Sequence, residues 1–392
     1  MNANNAANAP SLIWAEIDLS AIAHNVAELR RITRPAARLM AVVKANGYGH
    51  GAVEIARTAL ANGAEWLGVA RLSEAVHLRE AGIGAPILIF GYTPPAAAGR
   101  LVEYDLRQSV YSLATASAYS AAAAAQGKRI RVHLKVDTGM GRLGLVPAAL
   151  SGREAGRAAG REFTREAAEI TRLPGLKVEG IFTHFAAADS ADRSYAERQL
   201  ALFLEVVSDL RAAGLEFALR HAANSAAVIQ IPESHLDLVR PGIALYGLRP
   251  SAETDLSGIS IQPAMTLKTR IIHLKSVPAG ACISYGMTYR TPTPTVIATI
   301  PAGYADGYRR RFSSKGEMLV GGRRVPVVGR VCMDLTMLDV GALPGVQLED
   351  EVVIFGKQGN ESISADDLAQ ALGTINYEMV CDITARVPRV YV

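Results

Sequence analysis

The chain is poor in several features, and each lack removes a class of explanation. It has only 3 cysteines, Cys282, Cys332 and Cys381, in 392 residues. An odd and sparse set builds no disulfide framework, so a reducing, cytoplasmic setting is expected. The 8 histidines are dispersed, with no H-E-x-x-H and no C-x-x-C, and no metal site is expected. A G-x-S-x-G nucleophile elbow is also missing. Charge of one sign is scarce: 41 basic residues against 37 acidic ones leave a net +4. The one short basic run, Arg309, Arg310 and Arg311, reads as a solvated face, so no nucleic-acid partner is expected. Long apolar runs are lacking too. The uncharged stretch 109–126 is mostly alanine with Ser, Thr and Tyr, which partitions weakly into lipid; it reads as a strand followed by an alanine-rich helix, with no membrane partner. The opening MNANNAANAP has neither a basic nor an apolar region and reads as a loose tail rather than a signal peptide.

What is present is a globular chain, 49% hydrophobic and 20% charged, long enough for two domains. After an opening strand at 12–18, short apolar runs appear at 39–43, 66–70, 86–90, 108–111, 130–136, 178–184, 217–221 and 242–246. Helix-like segments rich in Ala, Leu, Glu and Arg fill most gaps, among them 73–80 with Ser73 as its cap. Eight runs with interposed helices predict a (β/α)8 TIM-type barrel over residues 1–248; a doubly wound sheet is the competing architecture. Residues 249–392 predict a mostly β C-terminal domain, with runs at 266–277, 295–300, 317–320, 325–328, 331–338 and 351–355. Gly321-Gly322 marks a hairpin, and a helix is expected at 365–372.

The strongest local signal is Val-Val-Lys-Ala-Asn-Gly-Tyr-Gly-His at 42–50. Lys44 ends an apolar strand, which on a barrel places it on the rim where active sites are built. A partly desolvated lysine loses proton affinity and becomes a nucleophile; on position alone, a snorkelling surface lysine is an equal reading. Gly139-Met-Gly-Arg-Leu-Gly144 fits G-x-G-x-x-G, but it lies deep in the chain with Pro147 close behind. Its glycines are read as letting the chain turn sharply around Arg142, not as a dinucleotide site.

The Lys44 segment resembles the cofactor-lysine motif of the alanine racemases, enzymes dependent on pyridoxal 5′-phosphate (PLP). The resemblance runs along nearly the whole chain in the expected order: 135–144, Thr-His-Phe at 183–185, Asn-Ser at 224–225, Arg-Pro-Gly-Ile-Ala-Leu-Tyr-Gly at 240–247, Ser-Tyr-Gly-Met-Thr-Tyr at 284–289, Gly-Tyr-Ala-Asp-Gly at 303–307, Cys-Met-Asp at 332–334 and Asn-Tyr-Glu at 376–378. It implies a barrel plus a β domain and interconversion of L- and D-alanine for peptidoglycan synthesis. Lys44 is then the lysine that carries PLP and one of two bases; Tyr285 is the other. Tyr48, Ser225, Gly242, Ile243 and Tyr377 are implied phosphate ligands, with Asn224 and His184 also at the cofactor. Arg142 would stand near the cofactor's phenolic oxygen and the substrate carboxylate, and Met333 would meet that carboxylate through its backbone. Tyr304 and Arg310 would line the entrance. The matching Lys135 is often carbamylated in the family; an unmodified lysine paired with an acid such as Asp137 is the alternative. The segment 152–165 is longer than the family leads one to expect.

Arg240 carries the mechanistic implication. In the resembled family it faces the pyridine nitrogen. Arginine donates only and stays protonated, so the ring nitrogen keeps its lone pair and the ring is a weak electron sink. That separates racemisation from transamination. Without the resemblance, Arg240 reads as a structural salt bridge and Tyr285 as a buried strand tyrosine. The family also implies a chain Tyr285–His184–Arg240–ring nitrogen, and a homodimer in which Tyr285 reaches the partner's cofactor. Three other functions remain open: a PLP-dependent decarboxylase of basic amino acids, a non-enzymatic PLP-binding protein, and a broad-specificity racemase.

Overall fold

The computed structural model describes residues 11–150 and 156–392. Two compact units emerge: Ala21–Gly47 with Ala52–Pro263, and a β-rich unit of the described residues up to Ser20, Tyr48–Gly51 and Ala264–Val392.

The strands, in chain order, are β1 Ile13–Ile17, β2 Arg38–Val42, β3 Trp66–Val69, β4 Ile87–Ile89, β5 Arg107–Val110, β6 Ile130–Lys135, β7 Leu176–Phe182, β8 Leu219–His221 and β9 Leu238–Val239. Strands β2 to β9 form one parallel sheet in the order β8-β7-β6-β5-β4-β3-β2-β9. Backbone bonds from Asp237 N–H to Arg220 O and from Arg240 N–H to Ala223 O bring β9 back beside β8, so the sheet is a nearly closed eight-stranded barrel. The doubly wound alternative is thereby set aside. Strands β3, β4 and β5 are buried at every position, as expected of parallel strands covered on both faces. Met40, Trp66, Leu88, Leu219 and Leu238, with Phe90, fill the interior. Each fully buried side chain of this size contributes about 1.5–3 kcal/mol. A Cβ at Gly68 would lie 2.5 Å from the Phe90 ring, so that strand position has no room for a side chain.

Helices separate the strands. In Leu19–Ile32 the buried residues Ala21, Ile22, Asn25, Val26 and Leu29 fall on one helical face. The uncharged stretch 109–126 continues from β5 into a helix, Leu113–Ala124, capped by Ser112, whose hydroxyl accepts from Thr115 N–H. Among the described residues, no helix is long and apolar enough to cross a membrane.

Two expectations need correction. The eighth barrel strand is Leu238–Val239, not 242–246; Pro241 has no N–H to extend a ladder, and Ile243–Tyr246 coils into a tight 3-10 turn closed by Gly247 at φ 74°. The helix expected at 73–80 begins at Leu72, so Ser73 sits inside its first turn; Glu74 instead accepts from Arg71 N–H. Of the segment 152–165, residues 152–155 lie outside the described residues, and a helix spans Gly156–Arg172.

The second unit continues with β10 Met265–Arg270, β11 His273–Val277, β12 Cys282–Ile283, β13 Tyr289–Arg290, β14 Thr295–Ile300, β15 Glu317–Val320, β16 Arg323–Pro326, β17 Thr336–Asp339, β18 Glu351–Gln358, β19 Glu361–Ile363 and β20 Arg389–Tyr391. Burial alternates strictly along β10, the mark of a strand with one wet face. The expected run 266–277 is two strands of two different sheets, and 331–338 begins as a loop before β17. Gly321 and Gly322, both at positive φ, turn the β15–β16 hairpin. Strand β1 belongs to this unit: it runs antiparallel to β10 and parallel to β20. The helix expected at 365–372 spans Ala365–Leu372, closed at Ser364 by a reciprocal bond with Asp367.

Candidate active site

All barrel strands run the same way, so residues at their C-terminal ends share one rim. Lys44 lies two residues past β2, Lys135 ends β6, His184 lies two past β7, Ser225 follows β8 by four residues, and Arg240 follows β9 directly. Arg142 sits on the loop after β6.

The chain after Lys44 does something L-residues avoid. Ala45, Asn46 and Gly47 hold φ of 52°, 54° and 61° and ψ near 47°, and Tyr48 follows at φ 49°. This is one turn of left-handed helix, which costs about 1–2 kcal/mol for each residue bearing a Cβ. Local bonds offset the cost. Glu74 accepts from Ala45 N–H at 2.7 Å through one oxygen and from Ala70 and Arg71 N–H through the other. Asn46, a residue tolerant of this region, accepts from Ala52 N–H at 3.0 Å. The sequence reading missed Glu74; its one signal was an acid in a first helical turn, which ordinary capping also explains.

The loop after β6 turns on glycine. Gly139, Gly141 and Gly144 all have positive φ, and a Cβ on Gly144 would lie 2.3 Å from Asp137 N. Asp137 accepts from the backbone N–H of Gly139, Gly141 and Arg142, fixing the base of exposed Arg142. The carboxylate so engaged lies beyond the end of β6; among the described residues it forms no close ion pair with Lys135, on which its charge still acts. Lys135 is buried, with its ammonium 5.4 Å from the centre of the Phe182 ring. Burial, then the charges of Arg142 and Arg240, hold its pKa down at about 8.

Arg240 is buried, 4% exposed, beneath the rim. One terminal nitrogen, Nη2, donates to Thr183 O at 2.8 Å and Ala222 O at 3.1 Å and lies 3.3 Å from His184 Nδ1. The other, Nη1, donates to His221 Nδ1 at 2.9 Å. Its partners are carbonyls and imidazoles; the salt-bridge reading does not hold among the described residues. Burial lowers its pKa to about 9, which leaves it a cation at neutral pH. Both histidines are neutral: burial first, then the Arg240 charge, pushes His184 and His221 well below the usual imidazole range.

Beside Arg240, the buried Ser225 hydroxyl accepts from Gly242 N–H at 2.8 Å and Ala244 N–H at 3.3 Å. Ile243 lies between them. Asn224 acts as a helix cap: its side-chain oxygen closes the start of Ser225–Gln230 by accepting from Ala227 N–H. Hydroxyl and backbone N–H groups therefore gather at the starts of two short helical turns, chemistry suited to an anion.

In the β-rich unit, buried Tyr48 lies 6.1 Å from the Tyr377 ring, and burial pushes its phenol up. Tyr285 is not a buried strand tyrosine. It stands 70% exposed on a turn between Ser284, at φ 65°, and Met287, at φ 50°. Ser284 ties that turn to Arg330 O, and the backbone of Tyr304 and Ala305 bonds to Cys332 O and Met333 O. These loops carry an exposed set: Tyr285, Met287, Tyr304, Arg310, Met333 and Leu335. The barrel unit and the β-rich unit thus each hold a group of the sequence-predicted residues: Lys44, Arg142, His184, Asn224, Ser225, Arg240, Gly242 and Ile243 in the first, and Tyr48, Tyr285, Met333 and Tyr377 in the second.

Comparison with known proteins is consistent along the whole chain. Residues 17–250 match the family model described as alanine racemase, N-terminal domain, and residues 264–391 match alanine racemase, C-terminal domain. An alanine racemase of Desulfosudis oleivorans is 57% identical over 378 residues, 96% of each chain. One from Methanococcus maripaludis is 48% identical, covering 97% of this chain and 98% of its own. The crystal structure of an alanine racemase from a D-cycloserine-producing Streptomyces lavendulae superposes with a TM-score of 0.90 at 40% identity, covering 98% of both chains.

Proposed function

This chain belongs to the alanine racemase family, PLP-dependent enzymes that interconvert L- and D-alanine, and from that premise we propose that its exchange runs on two bases, Lys44 and Tyr285. The observation that carries the reading is Arg240. A buried guanidinium has donors and nothing else, so against a pyridine nitrogen it supplies a hydrogen bond and no proton. A decarboxylase of basic amino acids would place an acid there; a binding protein would have no use for the distinction.

The residues fit the cofactor. Lys44 on the rim supplies the amine for its aldehyde, Arg240 the donor for its ring nitrogen, and Ser225 with Gly242 and Ile243 the hydroxyl and N–H groups for its phosphate, joined by Tyr48 and Tyr377. When bound, PLP supplies the acidity at Cα that alanine alone lacks. His184 orients and polarises from beside Arg240. Arg142 and the Met333 backbone bind the substrate carboxylate. One of Lys44 and Tyr285 takes the Cα proton from one face, and the other returns a proton to the opposite face.

The exposed loops around Tyr285 support a homodimer in which that tyrosine, carried by the β-rich unit, completes the partner's site. A cytoplasmic enzyme making D-alanine for peptidoglycan fits this reading. Lys135, partly neutral near pH 8, can add its amine nitrogen to carbon dioxide and lose a proton, giving a carbamate anion that faces Arg142 with opposite rather than like charge.

Purified protein with PLP should convert L-alanine to D-alanine, followed by chiral separation. Release of carbon dioxide instead, or no product from protein holding the cofactor, would overturn the proposal.

A further inference from the structure

The barrel interior holds a line of polar groups that the two-base reading leaves unused. His221 Nε2 lies 2.8 Å from His133 Nδ1, and both rings are fully buried. His133 Nε2 in turn lies 3.7 Å from Oε2 of Glu179 on β7, and the same oxygen lies 3.5 Å from Arg107 Nε. With the contact between Arg240 Nη1 and His221 Nδ1, the line runs Glu179, His133, His221, Arg240. It is built in. The Phe182 ring stacks on His221 with centroids 4.7 Å apart, and Trp66 meets His133 edge-on. A Cβ on Gly180 would lie 2.7 Å from His133 Nδ1, so glycine is what admits the imidazole at this point of the sheet.

We propose that Glu179 is a positioning residue: its charge stabilises, from the far end, the proton direction that Arg240 imposes on the His133–His221 pair, and so helps hold Arg240 in place as a donor toward the cofactor. The direction follows from donor arithmetic. Arg240 can only donate, so His221 Nδ1 must accept and its proton sits on Nε2. That proton points at His133, whose Nδ1 must accept, and the His133 proton is therefore on Nε2, facing the carboxylate. Both rings are neutral, since burial lowers the pKa of each. Reversing His221 would turn an N–H toward the guanidinium, and reversing His133 alone would set its N–H against that of His221, donor against donor in both cases. The line also ends in the charge that is needed. A buried cation without a counter-charge is costly; Glu179, held as a carboxylate by His133, Arg107 and Arg131 against the opposing effect of burial, provides a counter-charge through two polarised rings. Glu179 Oε2, His133 Nε2 and Arg107 Nε lack closer hydrogen-bond partners, which leaves electrostatic alignment as their interaction.

This rests on the reading of Arg240 as the partner of the ring nitrogen, and the test separates the two. Nitrogen-15 spectra of histidine-labelled protein, with and without cofactor, report which ring nitrogen carries hydrogen; 8 histidines keep the spectrum assignable. Both His133 and His221 are expected as neutral Nε2–H rings. The near-isosteric Glu179→Gln removes the charge, and His133 is then expected to populate both tautomers, with kcat down about tenfold, a change of about 1.4 kcal/mol, and KM little altered. Wild-type rings protonated at Nδ1, or doubly protonated, would overturn the proposal whether or not the variant folds. So would a folded variant with unchanged histidine signals. Altered tautomers with unchanged turnover and cofactor spectrum would instead uphold the alignment and sink the assignment of Arg240 to the ring nitrogen.

Discussion

Glu74 accepts a 2.7 Å hydrogen bond from the backbone N–H of Ala45, so a residue opening the helix after β3 holds the turn that begins just past Lys44. The same carboxylate caps its own helix through Ala70 and Arg71. Glu74→Ala leaves three N–H groups without this acceptor in a turn that is already unfavourable. A loss of about 1–3 kcal/mol is expected. Turnover should fall more than the melting temperature explains, because the lysine loses its fixed base. Thermal unfolding beside steady-state kinetics separates the two effects; wild-type kcat in the folded variant would refute a link between Glu74 and Lys44.

Lys44→Ala should abolish racemisation together with the visible absorbance of a lysine-linked cofactor. Absorbance titration with PLP checks this. A persisting lysine-linked band would refute the assignment.

Arg240→Glu places a carboxylate where only donors stand. Racemisation should fall by about 100- to 1000-fold, the usual cost of losing one preorganised donor. Slow conversion of alanine to pyruvate should appear, since a protonated ring nitrogen favours proton return away from Cα. Pyruvate is read with a coupled dehydrogenase. The variant also strands the acceptors Thr183 O and Ala222 O, and its stability should drop.

Lys135 gives a pH signature. Its pKa is about 8 folded against 10.5 unfolded. Above the higher value the amine is neutral in both states and costs nothing. As pH falls between the two, the unfolded chain takes up a proton that the folded one resists, so stability falls. Below the lower value the full cost, on the order of 3 kcal/mol, is present. Relative to Lys135→Met, an unmodified wild type should therefore gain stability between pH 8 and 10.5 in urea unfolding. A carbamylated Lys135 gives no such step and adds the mass of one carbon dioxide.

Tyr285→Ala should impair proton exchange on one face far more than on the other. Deuterium wash-in from each enantiomer measures it. Equal losses from both would remove Tyr285 from the role of base.

Much of the barrel was legible because its strands, several buried on both faces, are apolar runs separated by helix-like segments, while the later runs follow one another without them. The eighth strand was misplaced for the same reason: Gly-Ile-Ala-Leu-Tyr is as apolar as a strand, and only the preceding Pro241 hints that it coils. Lys44 and Ser225 were singled out by motif and expected rim position, and Arg240 by motif alone, because the strand expected at 242–246 hid its own place on the rim. Asn224 was visible as a residue but not as a helix cap, because an amide next to a serine does not announce its partner. Glu179 and His133 were invisible. Each is a single polar letter in an ordinary strand, and what joins them to Arg240 is the closure of the barrel, which no local spacing encodes.

Strand β1 lies between β10 and β20, so it waits for a three-residue strand far along the chain before both its edges are covered. Until β20 docks, β1 carries an open edge, and loss of Arg389–Tyr391 would leave that edge free to recruit a neighbour. A tag or fusion joined just beyond β20 acts directly on β1.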